Sequence, residues 1–247
     1  MPGFLEYFFS INFALGAGIT LALTLLSMAF GIAGGLALAL VKTSGIRVLQ
    51  VPADLYIWLF RGTPILLQLI FNFNALPQMG LRFSAFTSAV IALSLNESAY
   101  MAEIIRAGIE SVHRGQRSAA RVLGLRDSQI MRYVVLPQAM RLIVPPTGNQ
   151  FIGMLKMSAL ASVIAVQDLL LRAQRIASAN FDYIDTLIAA AAWYLILTTV
   201  FSYGQRLLER RMDVTRRKRP HGVRSDASGR STAESGSGGS DFASESR

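Results

Sequence analysis

The chain contains no cysteine, which excludes disulfides, zinc–thiolate centres and thiol catalysis and leaves no mark of its redox compartment. Histidine is nearly as scarce. His113 and His221 stand in separate polar segments, a poor start for a metal site, and read as solvated side chains. No G-x-x-x-x-G-K-S/T segment offers a loop that would cradle phosphates. A G-x-S-x-G elbow, an H-E-x-x-H helix and a nucleophile paired with histidine are missing as well. The sequence therefore names no catalytic residue, no metal ligand and no cofactor bound by this chain. Charge is short too: 16% of the 247 residues are charged against 52% hydrophobic, too apolar a balance for an ordinary soluble domain.

What is present is a set of lipid-length runs. Between Glu6 and Lys42 no side chain is charged, and about 20 apolar residues suffice to cross the ~30 Å hydrocarbon core as helix. The stretch exceeds the ~7–15 residues of a signal-peptide core and lacks a basic region before it, so it reads as a retained span. Residues 62–81, 83–96 and 186–205 are uncharged, and 142–167 is interrupted only by Lys156. The pattern predicts an all-α, polytopic membrane protein with five transmembrane helices at roughly 15–41, 54–75, 84–107, 145–166 and 186–207.

Basic residues collect in one set of loops (Lys42, Arg47, residues 106–132 and 206–219) and are sparse in the other (Arg82, Arg172 and Arg175). This asymmetry places the N-terminus outside and the C-terminus in the cytoplasm, as an odd number of spans requires. The net charge of +9 thus lies between spans rather than along one groove-filling helix, which points to membrane lipid and away from nucleic acid. Three parts follow: an external segment 1–14, a membrane domain 15–211, and a tail 212–247. From Thr215 the tail is too poor in apolar residues to offset ordering entropy, which predicts disorder. Its basic run 216–219 serves either as a topology signal or as a contact for anionic headgroups.

Residues 110–137, between the third and fourth spans, are too polar for lipid yet patterned for helix. One short helix, about 116–123, is expected to stop at Gly124. Asp127 or Ser128 would cap a second, with Ile130, Met131, Val134 and Val135 at helical spacing up to Pro137. Such an element either lies on the membrane as an amphipathic pair or docks a soluble partner, since a short rigid helix transmits movement that a loop would absorb. Ser118-Ala119-Ala120, three residues, Gly124, nine residues, Val134, one residue, then Leu136-Pro137 resembles the EAA loop of binding-protein-dependent ABC importer permeases. The preceding Arg114-Gly115-Gln116-Arg117 looks like the polar amino acid branch. Ser118 stands where that family usually has Glu, and Val134 where it usually has Ile. Residues 61–69 (RGTPILLQL), 96–108 (NESAYMAEIIRAG) and 148–170 resemble further helices of the same branch, so the likeness covers about 15–211.

The resemblance implies an inner (plasma) membrane permease that pairs with itself or a sister permease, two cytoplasmic ATPases holding the ATP and magnesium, and an external solute-binding protein. Gly115, Ser118, Ala119, Ala120, Gly124, Val134, Leu136 and Pro137 would form the ATPase-coupling loop.

Ionisable side chains at membrane depth mark a pathway or a buried pair. Glu103 and Arg106 are spaced to pair on one helix. Glu97 and Lys156 have no local partner. They either pair across helices or meet the amino and carboxylate groups of a zwitterionic solute, with Tyr100, Ser158 and Trp193 as further pathway candidates. Met157 stands where relatives often carry a polar or acidic residue, which the resemblance connects with solute choice and which disfavours a basic solute. Gly62, Pro64, Pro145, Pro146 and Gly148 interrupt helical bonding, as hinges or as packing kinks. Gly31 and Gly35 are spaced for a close helix contact. Two other classes would look different: a membrane enzyme needs a catalytic set at one membrane face, and an anchoring subunit leaves solute uptake intact when removed.

Overall fold

Backbone in lipid has only its own groups to bond to, and every regular element among the described residues is helical. The computed structural model describes residues 3–212; the rest of the expected tail lies outside the described residues. In chain order the α-helices are α1 (Phe4–Phe8), α2 (Ile11–Thr43), α3 (Arg47–Gly62), α4 (Ile65–Ile70), α5 (Ala85–Glu110), α6 (Arg114–Val122), α7 (Asp127–Ile130), α8 (Leu136–Met157), α9 (Leu169–Asn180) and α10 (Tyr183–Met212). A π-helical turn, Phe71–Ala75, and a 3-10 turn, Leu76–Met79, continue α4, while a second π turn, Met131–Val135, joins α7 to α8.

Two helices, α2 and α10, are long and apolar enough to cross a membrane alone, and up to four spans result if each of two bent pairs counts as one. The remaining expected span, the third at 84–107, is α5. Its 26 residues make about 39 Å of helix, enough to cross, but it carries Asn96, Glu97, Glu103 and Arg106 and buries most of its faces against other helices. Protein rather than lipid surrounds it, so its sequence need not be uniformly apolar. The second expected span, 54–75, is not one helix: α3 and the run Ile65–Met79 meet at 104°. The fourth begins earlier than expected, because residues 127–164 are helical without interruption. Between the fourth and fifth spans α9 replaces the expected loop, its first turn capped by Asp168, whose Oδ1 accepts from the Leu171 N–H at 2.9 Å.

The most extensive packing is α2 on α5. Gly31, Gly34 and Gly35 make it possible. A Cβ at Gly31 would stand 2.6 Å from Glu97 Cγ, one at Gly34 3.0 Å from Ser98 Cβ, and one at Gly35 would collide with Met101 Cβ. Small residues let helix backbones approach closely where lipid supplies no hydrophobic drive. A leucine at Gly35 is expected to overpack this seam by about 1–3 kcal/mol and lower the melting temperature in detergent. Gly18→Ala, whose Cβ meets nothing within 4 Å, serves as the control; equal melting of the two proteins would show that the seam does not set stability.

Candidate functional site

The polar segment folds as the expected helix pair with shifted boundaries. His113 caps α6 through Nδ1, which accepts from the Gly115 N–H at 3.0 Å. Gly124, at φ +81°, turns the chain as expected, and the Leu125 N–H returns to the Ala120 carbonyl at 3.2 Å, a closure that favours glycine. Asp127 is not a cap but the first residue of α7, and it pairs with Arg121 at 3.0 Å. The Gln129 side chain instead reaches back to the Arg126 N–H at 2.9 Å.

Pro137 does not end the second helix. It occupies the first turn of α8, where a missing N–H costs least. The π turn before it shifts the bonding ladder by one residue, so α7 passes into α8 without a break. Ala120, Ile130, Val135, Ala139 and Ile143 pack together with Ile105 and Ile109 of α5. Gln138 of α8 donates to Gln116 Oε1 at 2.7 Å, and Arg117 donates to the Ile109 carbonyl. The element is therefore fixed to α5 and α8. Its outer side carries Gly115, Ser118 and Ala119, all exposed, and ends in Val122 and Leu123, 88% and 80% exposed.

At membrane depth the charged candidates separate. Glu97 is fully buried, its stem against Gly31, and neither carboxylate oxygen has a hydrogen-bond partner among the described residues. Lys156 is exposed on the other side of its helix from the core residues Met154 and Leu155 and makes no ion pair among the described residues. The two do not pair in this conformation. Ser158 is buried and donates to the Leu155 carbonyl at 2.8 Å. Trp193 donates Nε1–H to the Phe8 carbonyl at 3.0 Å and packs with α1, so its polar atom is spent on the N-terminal segment. Tyr100 lies under the Arg61 guanidinium, 5.2 Å from ring centroid to carbon, a cation–π contact not foreseen in the sequence.

Glu103 and Arg106 pair as expected, at 2.7 Å, within a larger cluster. Lys42 of α2 bridges Glu103 at 2.8 Å and Asp54 of α3 at 2.9 Å, and Arg106 also holds Glu110 at 2.7 Å. The break at Gly62 and Pro64 is likewise built. The Gln68 amide stands 3.0 Å from the Phe60 carbonyl and 2.8 Å from Thr63 Oγ1, and Asn96 of α5 donates to Phe60 O at 2.8 Å. Side chains thus satisfy the carbonyls the bend frees. Pro145 and Pro146 remain inside α8; Gln205 of α10 donates to the Pro145 carbonyl at 3.2 Å, and a Cβ at Gly148 would strike the same Gln205 side chain. Gly148 therefore serves close approach of α8 and α10. Among the described residues no three histidine or carboxylate side chains come together as a metal site.

A helical membrane bundle with a rigid polar helix pair at one face, and unpaired charge at depth, defines a membrane transport subunit. Residues 31–214 match the family described as binding-protein-dependent transport system inner membrane component. The chain is 43% identical over 222 residues to the arginine transport system permease protein ArgU of Corynebacterium glutamicum, covering 84% of this chain and 70% of that protein. It is 40% identical over 201 residues to the glutamine transport system permease protein GlnP of Escherichia coli K12, covering 81% and 92%. The crystal structure of an amino acid ABC transporter with histidines superimposes with a TM-score of 0.77 at 46% identity, over 81% of this chain and 94% of that one. The chain belongs to the binding-protein-dependent inner membrane permease family.

Gln68→Leu leaves the Thr63 carbonyl and part of the Phe60 carbonyl's bonding unmet, and is expected to cost about 1–3 kcal/mol, read as a lower melting temperature in detergent. Gly62→Ala, with open space at the Cβ position, is expected to melt as the parent does. An undiminished melting temperature for Gln68→Leu would show that the elbow stands without the glutamine.

Proposed function

We propose that this chain is the permease subunit of an ABC importer for a polar amino acid, coupled at α6 and α7 to ATPase subunits on the cytoplasmic side. The observation that carries the reading is the unbroken helix from Asp127 to Ile164: α7 of the docking element and the Lys156 segment share one rod, and Gln138 of that rod holds the exposed α6 through Gln116. Gly115, Ser118, Ala119, Val122 and Leu123 form the face offered to the ATPase, and Ala120, Gly124, Val134, Leu136 and Pro137 hold that face in place. Two ATPases hold the ATP and magnesium; this chain binds neither.

Lys156, charged at membrane depth and without an ion pair among the described residues, faces the translocation path or a second permease subunit, because exposure to lipid would be costly. There it meets the solute's carboxylate. Glu97 lies behind the path in this conformation and becomes the partner of the solute's amino group once α2 and α5 part from α8. Tyr100, with Arg61 stacked on it, lines the same route. Relatives named for arginine and for glutamine transport support a polar amino acid. The half-buried Met157 offers no charge to a cationic side chain, which favours a neutral one. A solute-binding protein delivers the solute outside, where the N-terminus also lies, and the C-terminus is cytoplasmic.

Movement enters through α6. ATP-driven closure displaces it, the interlock of Gln116, Gln138, Arg117 and the Ile109 carbonyl passes the displacement to α5 and α8, and the bundle opens outward. The test is ATPase activity of the complex in lipid, with its binding protein, across the twenty amino acids. Stimulation by one polar amino acid is expected, and a flat response from an assembled complex would overturn the substrate class. In the same assay the exposed double change Val122→Asp, Leu123→Asp is expected to leave the permease folded, with stability within about 0.5 kcal/mol, while abolishing assembly with the ATPase; normal assembly would remove this face from the docking surface.

A further inference from the structure

Between α2, α8 and α10 a groove of about 530 Å³ opens to the surface, within the ~300–1,000 Å³ of small-molecule sites. Met28 and Ile32, Val144 and Phe151, and Val200 and Phe201 line it from the three helices. Its two polar side chains are already engaged: Thr147 donates to the Ile143 carbonyl at 2.8 Å, and Gln205 donates to the Pro145 carbonyl at 3.2 Å and to Glu209 at 2.8 Å. What remains is an apolar trough. Gly204 lies in its wall, and a Cβ there meets nothing within 4 Å.

The two long walls are antiparallel, since Pro145 and Asn149 face Gln205 while Phe151 stacks on Phe201 at 4.6 Å. Val144 and Leu208 therefore sit at one end of the groove, and Ile152 and Val200 at the other. From Val144 to Ile152 the groove runs about 12 Å along the helix, close to the ~15 Å hydrocarbon depth of one leaflet. Beyond the Val144 end each wall continues into an arginine on the same face. Arg141 precedes Val144 by three residues and Gly148 by seven, and Arg211 follows Leu208 by three and Gly204 by seven. Both are exposed and neither forms an ion pair among the described residues.

We propose that this groove holds an acyl chain of an anionic phospholipid from the leaflet on the docking-element side, with the phosphate between Arg141 and Arg211. An apolar trough of one-leaflet length, ending in two cations without an ion pair among the described residues, matches the two parts of such a lipid. A second copy of this chain is a poorer occupant, because at the same level it brings Arg206, Arg210 and Arg211 with Glu209 alone to offset them, a net positive charge against Arg141 and Arg211. The inference is independent of which solute is carried.

The test is native mass spectrometry of the detergent-purified complex, stripped of lipid and titrated with phosphatidylglycerol or with phosphatidylcholine of the same chains. One tightly retained phosphatidylglycerol per permease chain is expected, with phosphatidylcholine weaker. Replacing Arg141 and Arg211 by glutamine is expected to weaken phosphatidylglycerol roughly fivefold for each arginine, with phosphatidylcholine unchanged. Gly204→Phe fills the trough and is expected to weaken both lipids roughly tenfold or more. Val200→Phe, on an exposed wall position, does the same if the glycine variant fails to fold. Unchanged lipid retention in a filled groove overturns the proposal, as does equal retention of the two lipids by the parent. Separation of permease chains from one another by Gly204→Phe overturns it in favour of a second copy as occupant.

Discussion

A π turn at Met131–Val135 carries a helix through Pro137, and the connection between the docking element and the membrane bundle depends on it. Proline ordinarily stops or kinks a helix by removing an N–H and crowding the carbonyl four residues earlier. Here the ladder widens by one residue just before the proline, which then falls in a first turn where its N–H is not required. Had the chain broken at Pro137, α7 would hang on a loop and its displacement would be lost there. Instead the segment from Asp127 to Ile164 is one body, ending at Ala165 in a left-handed conformation, φ +64°.

The rod needs a surface to work against, and the α2–α5 seam supplies it. Glycines at 31, 34 and 35 bring two backbones close enough to bury the stem of Glu97, whose carboxylate has no hydrogen bond among the described residues. A charged carboxylate without a partner is costly at that depth. At the end of the seam nearest the docking element, Lys42, Asp54, Glu103 and Arg106 join α2, α3 and α5 by ion pairs. Each such pair, partly exposed, stabilises little alone. Together they fix the register of three helices beside the docking element.

Much of this was legible in the sequence and some was not, for physical reasons. The uncharged runs located α2 and α10, the two helices long and apolar enough to cross alone, because the hydrocarbon thickness dictates their length. Gly31 and Gly35 marked the close contact, and Gly124 the turn between α6 and α7. Pro137 misled, since local propensity says stop and only the tertiary packing of Val135 and Ala139 holds the π turn in place. The elbow at Gly62 and Pro64 was visible as a break, but its closure by Gln68 and Asn96 joins residues on different helices. Buried amides in apolar runs were the available clue. Residues 169–180 look like a polar loop because Arg172, Gln174 and Arg175 interrupt them, although Asp168 before three leucines was a cap signal. Trp193 looked like a pathway aromatic, and nothing local revealed that the Phe8 carbonyl would claim it.

The central claim is that α7 and the Lys156 segment move as one. The absence of native cysteine makes spin labelling direct. Labels at Ser128 and Met157, about 43 Å apart along the rod, and a second pair at Met157 and Thr87, are read by double electron–electron resonance in the assembled complex with and without ATP. The expected result is an unchanged distance within the rod and a changed distance to the far end of α5. A rod distance that shifts on ATP binding while the second stays fixed would contradict rigid transmission through Pro137.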